Sequence, residues 1–301
     1  MEWKKIYHHT LLAFTVVCLV TLPTVISSAV VSPLVLPLES GTMQTTVSSS
    51  SFTQQTEYWA VLIGKSNYVS GPLPYSVNEI IVFKNTLLTR GSWNESHIMV
   101  LTNDNVSKEN VFSAITWLDD HETDVDISVI YYVGHGGSTL TGEYMAFGNS
   151  SISDVELDYA MDVLEGRVVL IIDSCHSGGF IEECRGKNRV IMTSCAKEEL
   201  SYQYSELQNG FFGYFLNFTL GHLTKSAEGS FLLARPLTTL YSKKISEKLG
   251  GDYVVHPQFS DGVFGSVKLI SRQGNILDFL KQKVSLFSTS VDQSQVRIFK
   301  G

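Results

Sequence analysis

Two long apolar runs, Ile127–Val133 and Arg167–Ile172, each stop at a short polar motif rich in glycine. Runs this rich in Val, Ile and Tyr, without alternation of polar residues, suit strands buried on both faces, which is the habit of a parallel sheet. Four further segments read as strands: Tyr58–Ile63 ending at Gly64, His97–Leu101, Arg189–Thr193 and a last one at Phe264–Ile270, with a small extra strand at Tyr144–Phe147. Between them apolar residues recur at helical spacing, as in Ser76–Leu88, where Val77, Ile80, Ile81, Phe83, Leu87 and Leu88 share a face. Ser107 caps a helix through Leu118 with Glu109 in its first turn, and Ser153–Leu164, Phe211–Leu220 and Phe231–Leu249 read as further helices. Strands alternating with helices predict an α/β domain, its mostly parallel sheet covered on both faces. Active sites in such sheets gather at the carboxyl ends of the strands.

Both polar motifs sit at such ends. Gly134-His135-Gly136-Gly137 follows one run, and Asp173-Ser174-Cys175-His176-Ser177-Gly178-Gly179 follows the other. A free thiol is mostly protonated at neutral pH, and a neighbouring imidazole can take its proton. The pair His135 and Cys175 therefore reads as a base and a nucleophile. The adjoining glycines let backbone N–H groups approach a developing oxyanion, with the amides of Gly136 and Cys175 as candidates. His176 is set aside as the base, because neighbours on an extended chain point to opposite sides. A zinc site from His135, Cys175, Cys184 and Cys195 is disfavoured by the lack of a Cys-x-x-Cys pair.

The termini and the cysteines bear on compartment. Lys4 and Lys5 precede an uncharged stretch, dense in apolar residues over Leu11–Leu22, then Pro23 and the small residues Ser27-Ser28-Ala29. Residues 1–29 read as a secretory signal peptide, with an uncleaved N-terminal membrane anchor as the alternative. Either places the remainder outside the cytoplasm, secreted or membrane-anchored. Sequons at Asn94, Asn105, Asn149 and Asn217 agree with export, the last falling in a helical pattern. Residues 30–56 are Ser/Thr-rich and read as a linker or pro-segment. The domain spans 57–270, followed by a tail over 271–301. An exported domain with three cysteines suggests a Cys184–Cys195 disulfide and a free Cys175, the alternative being that the cysteines are small buried hydrophobes. With 22 Lys+Arg against 30 Asp+Glu and no basic stripe, nucleic acid is excluded as a partner.

The pair Tyr132-Val133-Gly134-His135-Gly136-Gly137 and Ile172-Asp173-Ser174-Cys175-His176-Ser177-Gly178 resembles the caspase-like cysteine peptidases, the group of metacaspases, caspases and legumains. Tyr58-Trp59-Ala60-Val61, Ser66-Asn67-Tyr68 and His256-Pro257-Gln258 are similar to legumains, and Met192-Thr193-Ser194-Cys195-Ala196 with Glu198, Ser201 and Gly210-Phe211-Phe212 to the cleft-lining segments of the whole group. The resemblance implies a caspase-like three-layer α/β/α sandwich with a mostly parallel six-stranded sheet. It also implies a cysteine endopeptidase working through a Cys175–His135 dyad on protein or peptide substrates. Caspases hold a substrate aspartate with arginines, but Lys65–Glu79 has none. The resemblance to metacaspases instead implies Glu79 and Asp173 as S1 residues for a basic P1 side chain. An Asn-specific legumain-like protease or transpeptidase, and an inactive peptide-binding homologue, are the alternatives. No cofactor is expected, and calcium activation is disfavoured because the acidic cluster after the His motif is reduced to Glu143. Arg185, Lys187 and Arg189 offer self-cleavage points, and removal of the segment before Glu57 is the other maturation step considered.

Overall fold

The computed structural model describes residues 55–275 and 296–298. The chain divides into two units, Met1–Phe52 and Thr53–Gly301, and the described residues belong to the second. The expected leader, and the linker up to residue 54, lie outside them.

Six strands form the main sheet: β1 (Tyr58–Gly64), β2 (Ile98–Thr102), β3 (Ile127–Val133), β7 (Arg167–Asp173), β8 (Arg189–Thr193) and β11 (Gln258–Asp261). Their order is β11-β8-β7-β3-β1-β2. Five run parallel, and β11 closes one edge antiparallel to β8. The strand order reverses beside β1, which places the crevice of the sheet at the carboxyl ends of β1 and β3.

Each central strand buries both faces, and its residues divide by parity between two apolar layers. Ala60 and Leu62, Val129 and Tyr131, Val169 and Ile171, Val190 and Met192 face one layer. Val61 and Ile63, Ile130 and Tyr132, Leu170 and Ile172, Ile191 face the other. The first layer is closed by α1 (Ser76–Arg90), α5 (Phe211–His222) and α6 (Ala227–Leu249), through Ile80, Phe83, Phe212 and Phe231. The second is closed by α2 (Lys108–Asp119), α3 (Asp154–Met161) and α4 (Phe180–Cys184), through Val111, Ile115, Leu157 and Phe180. Each such side chain, fully buried, stabilises the fold by about 1.5–3 kcal/mol, so the three-layer sandwich is held from both sides. Caps set the helix starts. Ser107 accepts from the Asn110 N–H, and Ser153 forms a reciprocal capping box with Glu156.

Two small sheets stand at the carboxyl rim. One joins β4 (His135–Thr139), β5 (Gly142–Ala146) and β6 (Ser151–Ser153). The other has the order β10 (Asn209–Gly210), β9 (Tyr202–Tyr204), β12 (Val296–Ile298).

Two expectations are corrected. Phe264–Ile270 is not a strand of the main sheet; its Val267, Leu269 and Ile270 pack into the first layer, held by backbone bonds to Ala227 and Lys225. The sixth strand is β11, whose polar Gln258–Asp261 sequence carries no strand signal because it lies at an edge. The Cys184–Cys195 disulfide does not form. Both cysteines are free, and they lie in different layers, Cys184 beneath α3 and Cys195 on the opposite face of the sheet.

Candidate active site

β3 and β7 are neighbours in register, with Val133 opposite Asp173. His135 and Cys175 each lie two residues beyond that pair, so they leave the sheet at the same rim, side by side. The Gly134 N–H donates to the Asp173 carbonyl at 3.3 Å, continuing the ladder to the edge of the motif. Gly136 is needed for the close approach of the two motifs. A Cβ there would stand 2.5 Å from Ser174 Oγ and 2.6 Å from the Cys175 carbonyl oxygen.

The His motif is itself a strand, β4, rather than a loop. Its histidine is almost fully buried, and its backbone N–H, its carbonyl and its Nε2 are each held by a hydrogen bond. The His135 N–H donates to Tyr68 Oη at 2.9 Å, and the Tyr132 hydroxyl donates to the His135 carbonyl at 2.6 Å. The Tyr68 ring lies edge-on to the imidazole, 4.2 Å between centroids. Burial pushes the Tyr68 phenol up to about 12, so it stays a neutral hydrogen-bonding group. The imidazole Nε2 is 2.7 Å from the Gly71 carbonyl. A carbonyl only accepts, so Nε2 carries the hydrogen and Nδ1 holds the basic lone pair in the neutral ring.

Cys175 is fully buried and in no disulfide. The Ser201 N–H donates toward its Sγ at 3.3 Å, and the Ser201 carbonyl lies 3.8 Å from the same sulfur. His176 adopts a left-handed turn (φ 60°) rather than the extended backbone expected for it, and its Nδ1 lies 2.8 Å from the Lys197 carbonyl. The zinc arrangement fails on geometry, because Cys184 belongs to the layer on the other face of the sheet from Cys175 and Cys195.

Glu79, in the first turn of α1, and Asp173, at the tip of β7, come together beneath the rim. A Cβ on Gly210 would be 2.5 Å from Asp173 Oδ2 and 3.0 Å from Glu79 Oε2, and one on Gly213 would strike the Glu79 carboxylate. Glu79 accepts from Gly210 N–H at 2.6 Å and from the Tyr131 hydroxyl at 2.5 Å. Asp173 accepts from the Ser201 hydroxyl at 2.8 Å and the Gly213 N–H at 3.1 Å. Burial, then the charge of Asp173, raises the Glu79 carboxyl well above the usual range. Burial also raises Asp173, against the hydrogen bonds that favour its ionised form. Glu79 is the more strongly raised of the two, so it holds a proton more readily than Asp173 does. Both are sealed from solvent at 2% and 0% exposure, rather than lining an open pocket.

Sequence reasoning missed the framing roles of Tyr68, Gly71 and Tyr132. Tyr68 stood out only through its similarity to a legumain segment, since an aromatic residue after a strand carries no chemical signal of its own.

A caspase-domain family model matches residues 57–255. The chain is 29% identical over 147 residues to Metacaspase-1 of Eremothecium gossypii and 25% identical over 148 residues to Metacaspase-1 of Schizosaccharomyces pombe. Each alignment takes in 41% of this chain but only 32% and 34% of the relative, so the matched part is about a third of those proteins. Among solved structures, the protein GSU0716 of Geobacter sulfurreducens superposes with a TM-score of 0.53 at 15% identity, covering 72% of this chain and 97% of that one. At that identity the likeness concerns the fold.

Proposed function

Because this chain belongs to the caspase-like cysteine peptidases, we propose that it is an exported endopeptidase that cleaves peptide bonds after a basic residue. The observation that carries the reading is the register of β3 and β7, which brings the two motifs to one rim of the sheet. In the proposed reaction His135 Nδ1 takes the Cys175 proton, and the thiolate attacks the scissile carbonyl to form a C–S bond. The amides of Gly136 and Cys175 hold the oxyanion. The imidazolium returns its proton to the leaving amine as the C–N bond breaks, and water then hydrolyses the thioester. Tyr68, Tyr132 and Gly71 act as positioning residues, fixing the imidazole and its tautomer.

The Glu79–Asp173 pair supports the basic preference. A guanidinium or ammonium arriving beside it would favour the ionised form of the raised Glu79 carboxyl, so binding of a basic P1 residue strengthens as pH rises. Export rests on the N-terminal apolar segment and on the exposure of Asn94, Asn105 and Asn149.

The test is a fluorogenic peptide panel with Arg, Lys, Asn or Asp at P1, run on the wild type and Cys175→Ala. The substitution is expected to abolish hydrolysis while moving the melt by no more than about 4 °C. Residual activity within about tenfold of wild type would refute the assignment.

A further inference from the structure

We propose that the C-terminal strand β12 is a built-in competitor for substrate, occupying the strand edge that a peptide must use to reach Cys175. The inference rests on the peptidase reading above.

β9 is the middle strand of its sheet, and both its edges are taken. On one side the same loop turns back as β10, with Asn209 opposite Tyr204 and Gly210 opposite Gln203. On the other side β12 runs antiparallel, pairing Val296 with Tyr204, Arg297 with Gln203 and Ile298 with Tyr202. β9 starts one residue after Ser201, whose N–H lies 3.3 Å from the Cys175 sulfur. At the next step along the strand, the Gln203 side chain donates to Ser76 Oγ at 2.9 Å and accepts from Tyr75 N–H at 3.2 Å, at the start of the helix that carries Glu79. On the far side, Gly210 of β10 donates to Glu79. β9 thus spans the distance from the nucleophile to the carboxylate pair.

An extended substrate that offers its carbonyl to Cys175 and a basic side chain to Glu79 and Asp173 has to lie along this strand. Extended peptides gain affinity by adding a strand to a sheet edge through main-chain hydrogen bonds. Since β10 holds one edge by local connection, the substrate edge is the one β12 occupies, and a single edge pairs with a single strand. The middle residue of β12 is Arg297, of the class the proposed specificity selects. Belonging to the same chain, β12 competes intramolecularly and needs little intrinsic affinity to do so. The sulfur is fully buried, with the Ser201 carbonyl 3.8 Å from it, and β12 pairs with the strand that begins at the next residue.

The experiment uses the full chain with Val296→Pro or Arg297→Pro. Proline removes a ladder donor, and the two positions cover both parities of the antiparallel pairing. Two rates are measured: alkylation of Cys175 by iodoacetamide, followed by peptide mapping, and hydrolysis of an Arg-P1 peptide. At least one variant is expected to raise the alkylation rate and kcat/KM by about fivefold or more, with the gain in KM and the melt unchanged. A synthetic Gln293–Gly301 peptide should then inhibit that variant competitively. Rates within about twofold of wild type in both variants, or non-competitive inhibition, would overturn the proposal. A variant that loses activity together with its melt would also overturn it, because β12 would then be a structural strand. Faster alkylation without hydrolysis in any form would keep the occluding role of β12 and overturn the peptidase reading.

Discussion

Gly136→Ala is the substitution whose cost can be worked most directly from the geometry of the rim. The added methyl would stand 2.6 Å from the Cys175 carbonyl oxygen and 2.5 Å from Ser174 Oγ. Ordinary carbon contacts begin near 3.5 Å, so the two motifs must separate by about 0.9 Å. Ser174 can rotate its hydroxyl, but the carbonyl is backbone and moves only with β7. Overpacking of this kind costs about 1–3 kcal/mol, which in a domain of this size lowers the melt by roughly 2–12 °C. The larger effect falls on the reaction. The displacement opens the gap between the strands that carry His135 and Cys175, and a misplacement near 1 Å costs about a hundredfold in rate. Gly137→Ala is the control, because its methyl meets the Tyr144 side chain, which can swing aside, and not the Cys175 backbone. The assay pairs thermal melts with kcat on an Arg-P1 peptide. A Gly136→Ala enzyme with kcat within about threefold of the Gly137→Ala enzyme would refute the argument that strand-tip spacing sets the dyad.

Two other substitutions test separate parts of the structure. In the folded protein Glu79 holds its proton to a higher pH than in the unfolded chain. Folding therefore binds protons between the ordinary glutamate pKa of about 4.3 and the raised folded value, and stability falls as pH rises through that window. Glu79→Gln keeps a neutral group there, so its melt should fall less than wild type from pH 4 upward, while KM for an Arg-P1 peptide rises; parallel melting curves would show that Glu79 is not the protonated partner. Ser153→Ala removes the capping box of α3 and should lower stability by about 1 kcal/mol without touching kcat, as read by urea melts and peptide hydrolysis.

The sequence already carried the elements and the rim. β3 and β8 begin and end where their apolar runs do, β1 and β7 extend one residue further, and Ser107 and Ser153 cap the helices that follow them. These signals are local: burial on both faces writes an apolar run, and an unpaired helix N–H calls for a Ser side chain. Pairing across the chain is not local. Tertiary structure alone decided that Val133 faces Asp173, bringing the two motifs to one rim, and that Cys184 and Cys195 fall on opposite faces and cannot bond. It likewise put Glu79 against Asp173, where burial and the neighbouring charge raise the Glu79 carboxyl, and brought β12 across to β9. Composition and periodicity report how much of a residue meets water, whereas strand order and register decide which residue it meets instead.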